Sequence, residues 1–283
     1  MAKANIFNSK ETRKNVFLCV VALLIALVFL FPLYWIICMS FKTDAESFGK
    51  VVTYYPHTFT VQPWLTNFTD KDFVSSLRNS ICIALIAMSI SMVFGVTAAY
   101  GMGRYKVPGQ KGFMLSFLIT QMLPASLTLT PMYLIFSRLH LLGTYIGPAL
   151  AIASGSVPFI VVTLRPYFKG VPTALDDAAR IDGCNVFQAF IRIMIPAIKT
   201  GIITVLVISF LNGWNDLAYS MTFNVKPDMR PLTANIYRFQ SKYGTKWNCI
   251  MAYGAILVAP VVLLFVFLQK YIVSGMTAGA VKE

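Results

Sequence analysis

The chain has 283 residues, 57% hydrophobic and 12% charged, with a net charge of +13 and a mean hydropathy of +0.67. Soluble domains carry about 25% charged residues, so this composition excludes an ordinary water-soluble globule and places most of the chain in a bilayer. A basic excess would also suit nucleic acid, but no zinc-finger spacing or RNA-binding aromatic motif occurs, and many charges flank apolar runs where they meet anionic headgroups.

Six runs lack Asp, Glu, Lys and Arg for long enough to approach the roughly 20 residues that cross a hydrocarbon layer. The predicted spans are 16–41, 79–103, 112–136, 146–168, 200–221 and 248–271. Each is expected to be helical, because isolated strands leave backbone groups unpaired in lipid. The predicted class is therefore an all-α membrane protein.

The first run exceeds the roughly 7 to 15 apolar residues of a signal peptide and no small-x-small site follows, so it reads as a retained helix after an N-terminal segment 1–15. The polar loop 42–74 carries Pro56 and Pro63, and Tyr34, Trp35 and Trp64 suit an interfacial belt. Between the second and third spans, Arg104, Lys106 and Lys111 stand without an acid. Basic residues favour the cytoplasmic side, which puts both termini and the loop 171–199 inside, and the loops 42–74 and 222–247 outside.

Pro124 and Pro131 in the third span, Pro148 and Pro158 in the fourth and Pro260 in the sixth can each free a carbonyl and bend a helix. Taken singly, each is ordinary in a membrane helix. Polar side chains inside or beside spans mark a candidate substrate path: Gln121, then Asn212, Trp214, Asn215 and Asp216, with Ser154 and Ser156 as further candidates. A mid-bilayer charge costs about 2.5–3.5 kcal/mol, yet Asp216 counts out near the interface, where a structural role is equally open. The loop 222–247 carries Lys226, Arg230, Arg238, Lys242 and Lys246 against Asp228, and a tail 273–283 ends the chain. Five cysteines form no CxxC pair; they read as small buried hydrophobes, with one disulfide among Cys38, Cys82 and Cys249 left open.

The loop 171–199, "VPTALDDAARIDGCNVFQAFIRIMIPAIK", is too polar for hydrocarbon and reads as two short helices. Thr173 and Asp176 have capping-box spacing, and Asp176 and Asp177 suit the positive end of a helix dipole. Gly183 supplies a left-handed stop. Asn185 and Gln188 repeat the capping pattern, Pro196 ends the second helix, and Phe187, Phe190, Ile191 and Met194 are predicted to share one apolar face. On the first helix Leu175, Ala178 and Ala179 share a face that could seat in a groove, with Asp177 and Arg180 at its edge. An amphipathic loop resting on lipid is the plainer alternative, although aspartates suit an anionic surface poorly.

The stretch "DDAARIDGCNVFQAFIRIMIP" resembles the EAA loop of binding-protein-dependent ABC importer permeases: Asp177, Ala178, Ala179, Gly183, Ile193 and Pro196 fill its positions, with Asp177 in place of the usual Glu. "FPLYWIICMSFKT" at 31–43, "PMYLIF" at 131–136, "WND" at 214–216 and the tail "SGMTAGAVKE" are similar to the smaller permease of maltose-type transporters, so the resemblance runs through nearly the whole chain. It implies the type I ABC importer permease fold, six transmembrane helices with a cytoplasmic coupling helix, in a bacterial cytoplasmic membrane. It implies as partners a second, homologous permease, two ATPase subunits and an extracytoplasmic sugar-binding protein. Leu175, Asp176, Asp177, Ala178, Ala179, Arg180, Asp182 and Gly183 would then contact an ATPase subunit, and the tail from Gly275 would also reach it. Arg230, Arg238, Lys242 and Lys246 would meet the binding protein. The implied substrate is a sugar or oligosaccharide; the positive charge of the loop would also suit an acidic one, with binding-protein docking or lipid headgroups as the plainer and preferred account of that charge.

No G-x-x-x-x-G-K-[ST] loop is present to cradle a phosphate, so ATP and Mg are expected on the partner subunits and no cofactor on this chain. The only histidines, His57 and His140, lie far apart, no metal site is expected, and no nucleophile stands beside a base. The chain is therefore not expected to be an enzyme. An ion-gradient-driven secondary transporter is the alternative, but such proteins place ionisable residues at midplane, where this chain has almost none.

Overall fold

A computed structural model describes residues 10–241 and 244–277, with side chains described for 12–241 and 244–269. The elements in chain order are α1 (Lys10–Ser40), α2 (Asp44–Ser47), α3 (Gln62–Phe68), α4 (Lys71–Arg104), α5 (Gln110–Met122), α6 (Ala125–Arg138) and α7 (Ile146–Gly170). There follow α8 (Ala174–Ile181), α9 (Val186–Ala189), a π-helical turn Phe190–Met194, α10 (Ile195–Ala197), α11 (Lys199–Trp214), α12 (Ala218–Phe223), α13 (Leu232–Asn235) and α14 (Trp247–Thr277). The helical prediction omitted one element: Gln240–Ser241 (β1) pairs antiparallel with Gly244–Thr245 (β2).

Among the described residues four helices are long and apolar enough to cross a membrane: residues 12–40 of α1, all of α4 and α7, and residues 247–269 of α14. Two further stretches qualify only as bent pairs. The predicted third span is not one helix, since α5 and α6 meet at 101°. Pro124 explains the break: it brings no N–H and disfavours α geometry at Leu123, which is extended at φ −77°, ψ 123°. In the fifth, the predicted run to Met221 stops at Trp214, and residues 186–197 meet α11 at 87°. Pro131, Pro158, Pro166 and Pro260 sit inside helices that continue through them.

Two compact units divide the chain, one from residues up to 69 with 238–258, the other from 70–237 with 259 onward. In the second unit α4, α7 and α11 form the core. Tyr100, Ile160, Leu164, Phe168, Phe190 and Met194 are buried together there. Small residues allow the approach, as in other membrane bundles: a Cβ on Gly213 would stand 2.6 Å from Ala84 Cα, and one on Gly95 would stand 2.7 Å from Ile160.

Near its N-terminal end, α4 is stitched to the chain after α11 by neutral polar groups. Asn79 is fully buried; its amide donates to the carbonyls of Asp228 at 2.7 Å and Arg230 at 3.1 Å, and its oxygen accepts from the Tyr145 hydroxyl at 2.9 Å. Asn235 donates to Ser76 Oγ at 2.8 Å, and Ser80 Oγ accepts from Leu232 N–H at 2.8 Å.

In the first unit a buried cation organises the segment after α1. Lys42 is 2% exposed, lies 5.1 Å from the centre of the Trp35 ring and donates to Thr53 Oγ1 at 2.8 Å. Thr53 in turn donates to Glu46 at 2.7 Å, and the Glu46 carboxylate accepts the His57 N–H at 3.0 Å. Backbone amides lower the Glu46 pKa, that of His57 most, against the opposing effect of burial and with help from the Thr53 hydroxyl. All five cysteines are free, which removes the disulfide left open above.

Candidate functional site

The loop between α7 and α11 folds as two helical pieces around a fixed turn. Gly183 stands at φ +76°, the left-handed conformation that glycine adopts without a Cβ penalty. Its N–H donates to the Arg180 carbonyl and the Cys184 N–H to Ala179, which closes α8. The next helix begins with a complete capping box: Gln188 N–H donates to Asn185 Oδ1 at 2.8 Å and Asn185 N–H to Gln188 Oε1 at 3.0 Å.

The first predicted cap does not form. Thr173 has helical backbone angles and no capping side-chain bond; only its carbonyl serves, accepting from Asp176 and Asp177 N–H. Asp176 is drawn away by Arg104, whose guanidinium Nη2 donates to its carboxylate. The same guanidinium donates from Nη1 to the carbonyls of Val171 at 2.6 Å and Phe168 at 3.2 Å, and its side chain is 6% exposed. Arg104 gave no sequence signal beyond a topology-setting charge, because its partners lie more than 60 residues away.

Burial divides the predicted coupling residues. Ala179 alone in α8 is buried, so Leu175, Ala178 and Ala179 do not form one free face. Leu175, Asp177, Ala178, Arg180, Asp182 and Gly183 are exposed, Asp176 is partly covered, and Ile181 is 86% exposed. The expected single apolar face of the second helix also splits. Phe190 and Met194 enter the core, while Phe187 is 71% and Ile191 44% exposed. The π-helical turn at Phe190–Met194 shifts the register between them. A surface bearing Ile181, Val186 and Phe187 beside Asp177 and Arg180 is suited to another protein, whereas buried Ala179 and the fixed turn hold it in shape.

The candidate path residues do not converge on one pocket. Gln121 is exposed on α5 and donates to the Phe117 carbonyl of its own helix. Asn212 donates to buried Ser156 at 3.2 Å, joining α11 to α7. Trp214 is buried and stacks on Phe210, and Asn215 ends α11 exposed. Asp216 is buried and caps α12: its carboxylate accepts Ser220 N–H at 2.8 Å, Ser220 Oγ at 2.7 Å and Tyr219 N–H at 3.3 Å. Thr233 Oγ1 donates to its backbone carbonyl. These bonds account for the acid and for the end of the fifth helical run.

Of the basic residues after α12, Arg230 is half-buried and donates to the Val225 carbonyl. Arg238 lies 4.6 Å from the Phe239 ring centre and 5.8 Å from that of Tyr253, within the first unit. Lys226 and Lys246 are exposed. Lys242 lies outside the described residues, as do 278–283 of the tail and the side chains from 270 onward. Among the described residues no group of His, Cys, Asp and Glu could hold a metal ion.

The chain is 29% identical over 262 residues to the diacetylchitobiose uptake system permease of Streptomyces coelicolor, covering 93% of this chain and 94% of the relative. It is 31% identical to the sulfoquinovosyl glycerol transport system permease of Agrobacterium fabrum, covering 89% of each, and 31% identical to the trehalose transport system permease of Mycobacterium tuberculosis, covering 89% and 92%. A chain of a bacterial ABC transporter involved in the import of the acidic polysaccharide alginate matches with a TM-score of 0.80 at 22% identity, over 94% of this chain and 99% of that one, a likeness of fold. The family model for the binding-protein-dependent transport system inner membrane component matches residues 91–278, a stretch that contains the α8–α9 turn, and the chain belongs to that family.

Proposed function

We propose that this chain is the membrane permease subunit of an ABC importer for a sugar or oligosaccharide, with ATP and Mg bound by two separate ATPase subunits. In this reading each bent helix pair counts as one span, giving six, both termini face the cytoplasm, and α8 is the coupling helix. The observation that carries it is the α8–α9 loop: a fixed Gly183 turn and a capping box present Asp177, Arg180 and Ile181 outward. A capped helix between α7 and α11 transmits rotation better than a slack loop. ATP-driven closure of the ATPase pair would tip the permeases between inward-open and outward-open states through different contacts in the two. A second, homologous permease and an extracytoplasmic binding protein complete the assembly, the latter docking at Arg230, Arg238, Lys242 and Lys246. Reconstitution tests this: uptake must require ATP and the ATPase partner, and uptake driven by an ion gradient without that partner would overturn it.

A narrower form takes the basic residues of 222–247 as favouring an acidic saccharide rather than only the binding protein. Exposed Lys226 and Lys246 support it. Neutralising both should lower uptake of uronate oligomers more than of neutral ones; an equal loss for both would leave the docking role alone.

A further inference from the structure

We infer that Arg104 is the positioning residue that makes α8 move as one body with α4 and α7, and this inference rests on the coupling role proposed for α8. Packing alone does not supply that tie. Only Ala179 of the eight α8 residues is buried. A cavity of about 80 Å³ opens beside Tyr100, Tyr105, Asp176 and Cys184. A second hollow of about 500 Å³ lies beside Tyr167, Val171, Pro172, Leu175 and Ile198. Bridging the seam is one guanidinium.

Its contacts reach three elements at once. Arg104 is the last residue of α4. Through Nη1 it caps the C-terminus of α7, where the last carbonyls have no intrahelical partner and the dipole favours a cation: it donates to Phe168 at 3.2 Å and to Val171, just beyond the helix, at 2.6 Å. Through Nη2 it donates to the Pro172 carbonyl at 3.5 Å and to the Asp176 carboxylate on α8. The hinge residues 171–173 between α7 and α8 are thus spanned by one rigid planar group. Close contact of α4 with α7 fixes where it sits, since a Cβ on Gly103 would stand 2.8 Å from Phe168 Cβ. A lysine there would keep a point charge for Asp176 but lacks the planar fork that serves several acceptors.

The test uses the full complex in proteoliposomes, with uptake of a panel of neutral and uronate oligosaccharides measured against ATP hydrolysed. Arg104→Gln should lower molecules imported per ATP by about tenfold and Arg104→Lys by a smaller factor, as loss of a charge-assisted bridge predicts. Lys111→Gln, which removes an exposed charge from the first turn of α5, should leave the ratio unchanged. Amide hydrogen exchange supplies a readout that needs no sugar: residues 174–181 should exchange faster in Arg104→Gln while 186–189, held by their own capping box, should not. Assembled Arg104 variants with wild-type ratio and wild-type exchange would overturn the inference. So would failure of both to assemble, because the contact would then serve folding alone. Absence of ATP-dependent uptake in the wild type would instead sink the transport reading, leaving the exchange result to judge Arg104.

Discussion

The two ends of α4 solve the same problem with opposite chemistry. Asn79 and Arg104 are 25 positions apart, about 37 Å at 1.5 Å per residue. At the first end, the neutral and buried side chains of Asn79, Ser76 and Ser80 hold the backbone of residues 228–232 and the Asn235 side chain. At the second, a charged guanidinium ties the buried Phe168 and Val171 at the end of α7 to the mostly exposed α8. A neutral knot tied around a fully buried amide fixes one geometry. A charged tie at an open seam can hold a part that must swing and still be gripped from outside.

The largest expected effect lies at the neutral end. Asn79→Leu would strip the Tyr145 hydroxyl and the carbonyls of Asp228 and Arg230 of their fully buried partner, at a cost of about 2–3 kcal/mol. Thermal inactivation of the detergent-solubilised protein should show it as a large loss. A Leu variant as stable as wild type would mean that the knot is redundant and that the contrast between the two ends is false.

Next comes the turn at the charged end. Gly183→Val places a β-branched residue at φ +76° and should cost about 1–2 kcal/mol, while Gly183→Asn should cost much less because Asn tolerates that region. Space does not contribute, since no atom lies within 4 Å of the added Cβ. ATP-dependent uptake should therefore fall in the order Gly, Asn, Val. Equal loss in both variants would point to a surface contact at Gly183 rather than a backbone requirement.

Much of this was legible in the sequence, for physical reasons that differ by residue. The Gly183 stop and the Asn185–Gln188 box are local, so spacing alone located them. The Thr173 box fails in both halves: Thr173 itself is helical, so its carbonyl takes the Asp176 N–H, and the Asp176 carboxylate is recruited by Arg104 across 72 positions, a contact no local pattern encodes. Likewise Phe187 and Ile191 belong to the same helical stripe as Phe190 and Met194 at 3.6 residues per turn, and only the π-helical turn separates them. Pro124 was one of five prolines with equal standing in the sequence; the bend fell there because Leu123 took the extended geometry.

A smaller effect is expected at Asp216, which belongs with the neutral end through Thr233 although it carries a charge. Asp216→Asn keeps one acceptor oxygen and should cost about 1 kcal/mol as a weakened cap. If capping is its role, stability should fall while the preference among sugars stays as it was. A change in sugar preference at unchanged stability would return Asp216 to the substrate path.

The smallest effect separates neutral from charged networks by pH, and it is read in the first unit. The Glu46 carboxylate is held below its ordinary value chiefly by the His57 N–H, so its folded-state pKa is lower than its unfolded one. The unfolded chain therefore binds the proton first as pH falls. Stability from Glu46 is complete above the unfolded value and declines as pH drops through the ordinary glutamate range toward the lowered folded value. Glu46→Gln should remove that acid-limb decline and leave the profile at neutral pH flat. Asn79 and Asn235 have no proton to gain in this range, so variants at the neutral knot should shift the whole stability curve without changing its shape. An acid limb in Glu46→Gln as steep as that of the wild type would assign the pH dependence to other carboxylates and remove Glu46 as the titrating member of the Lys42 network.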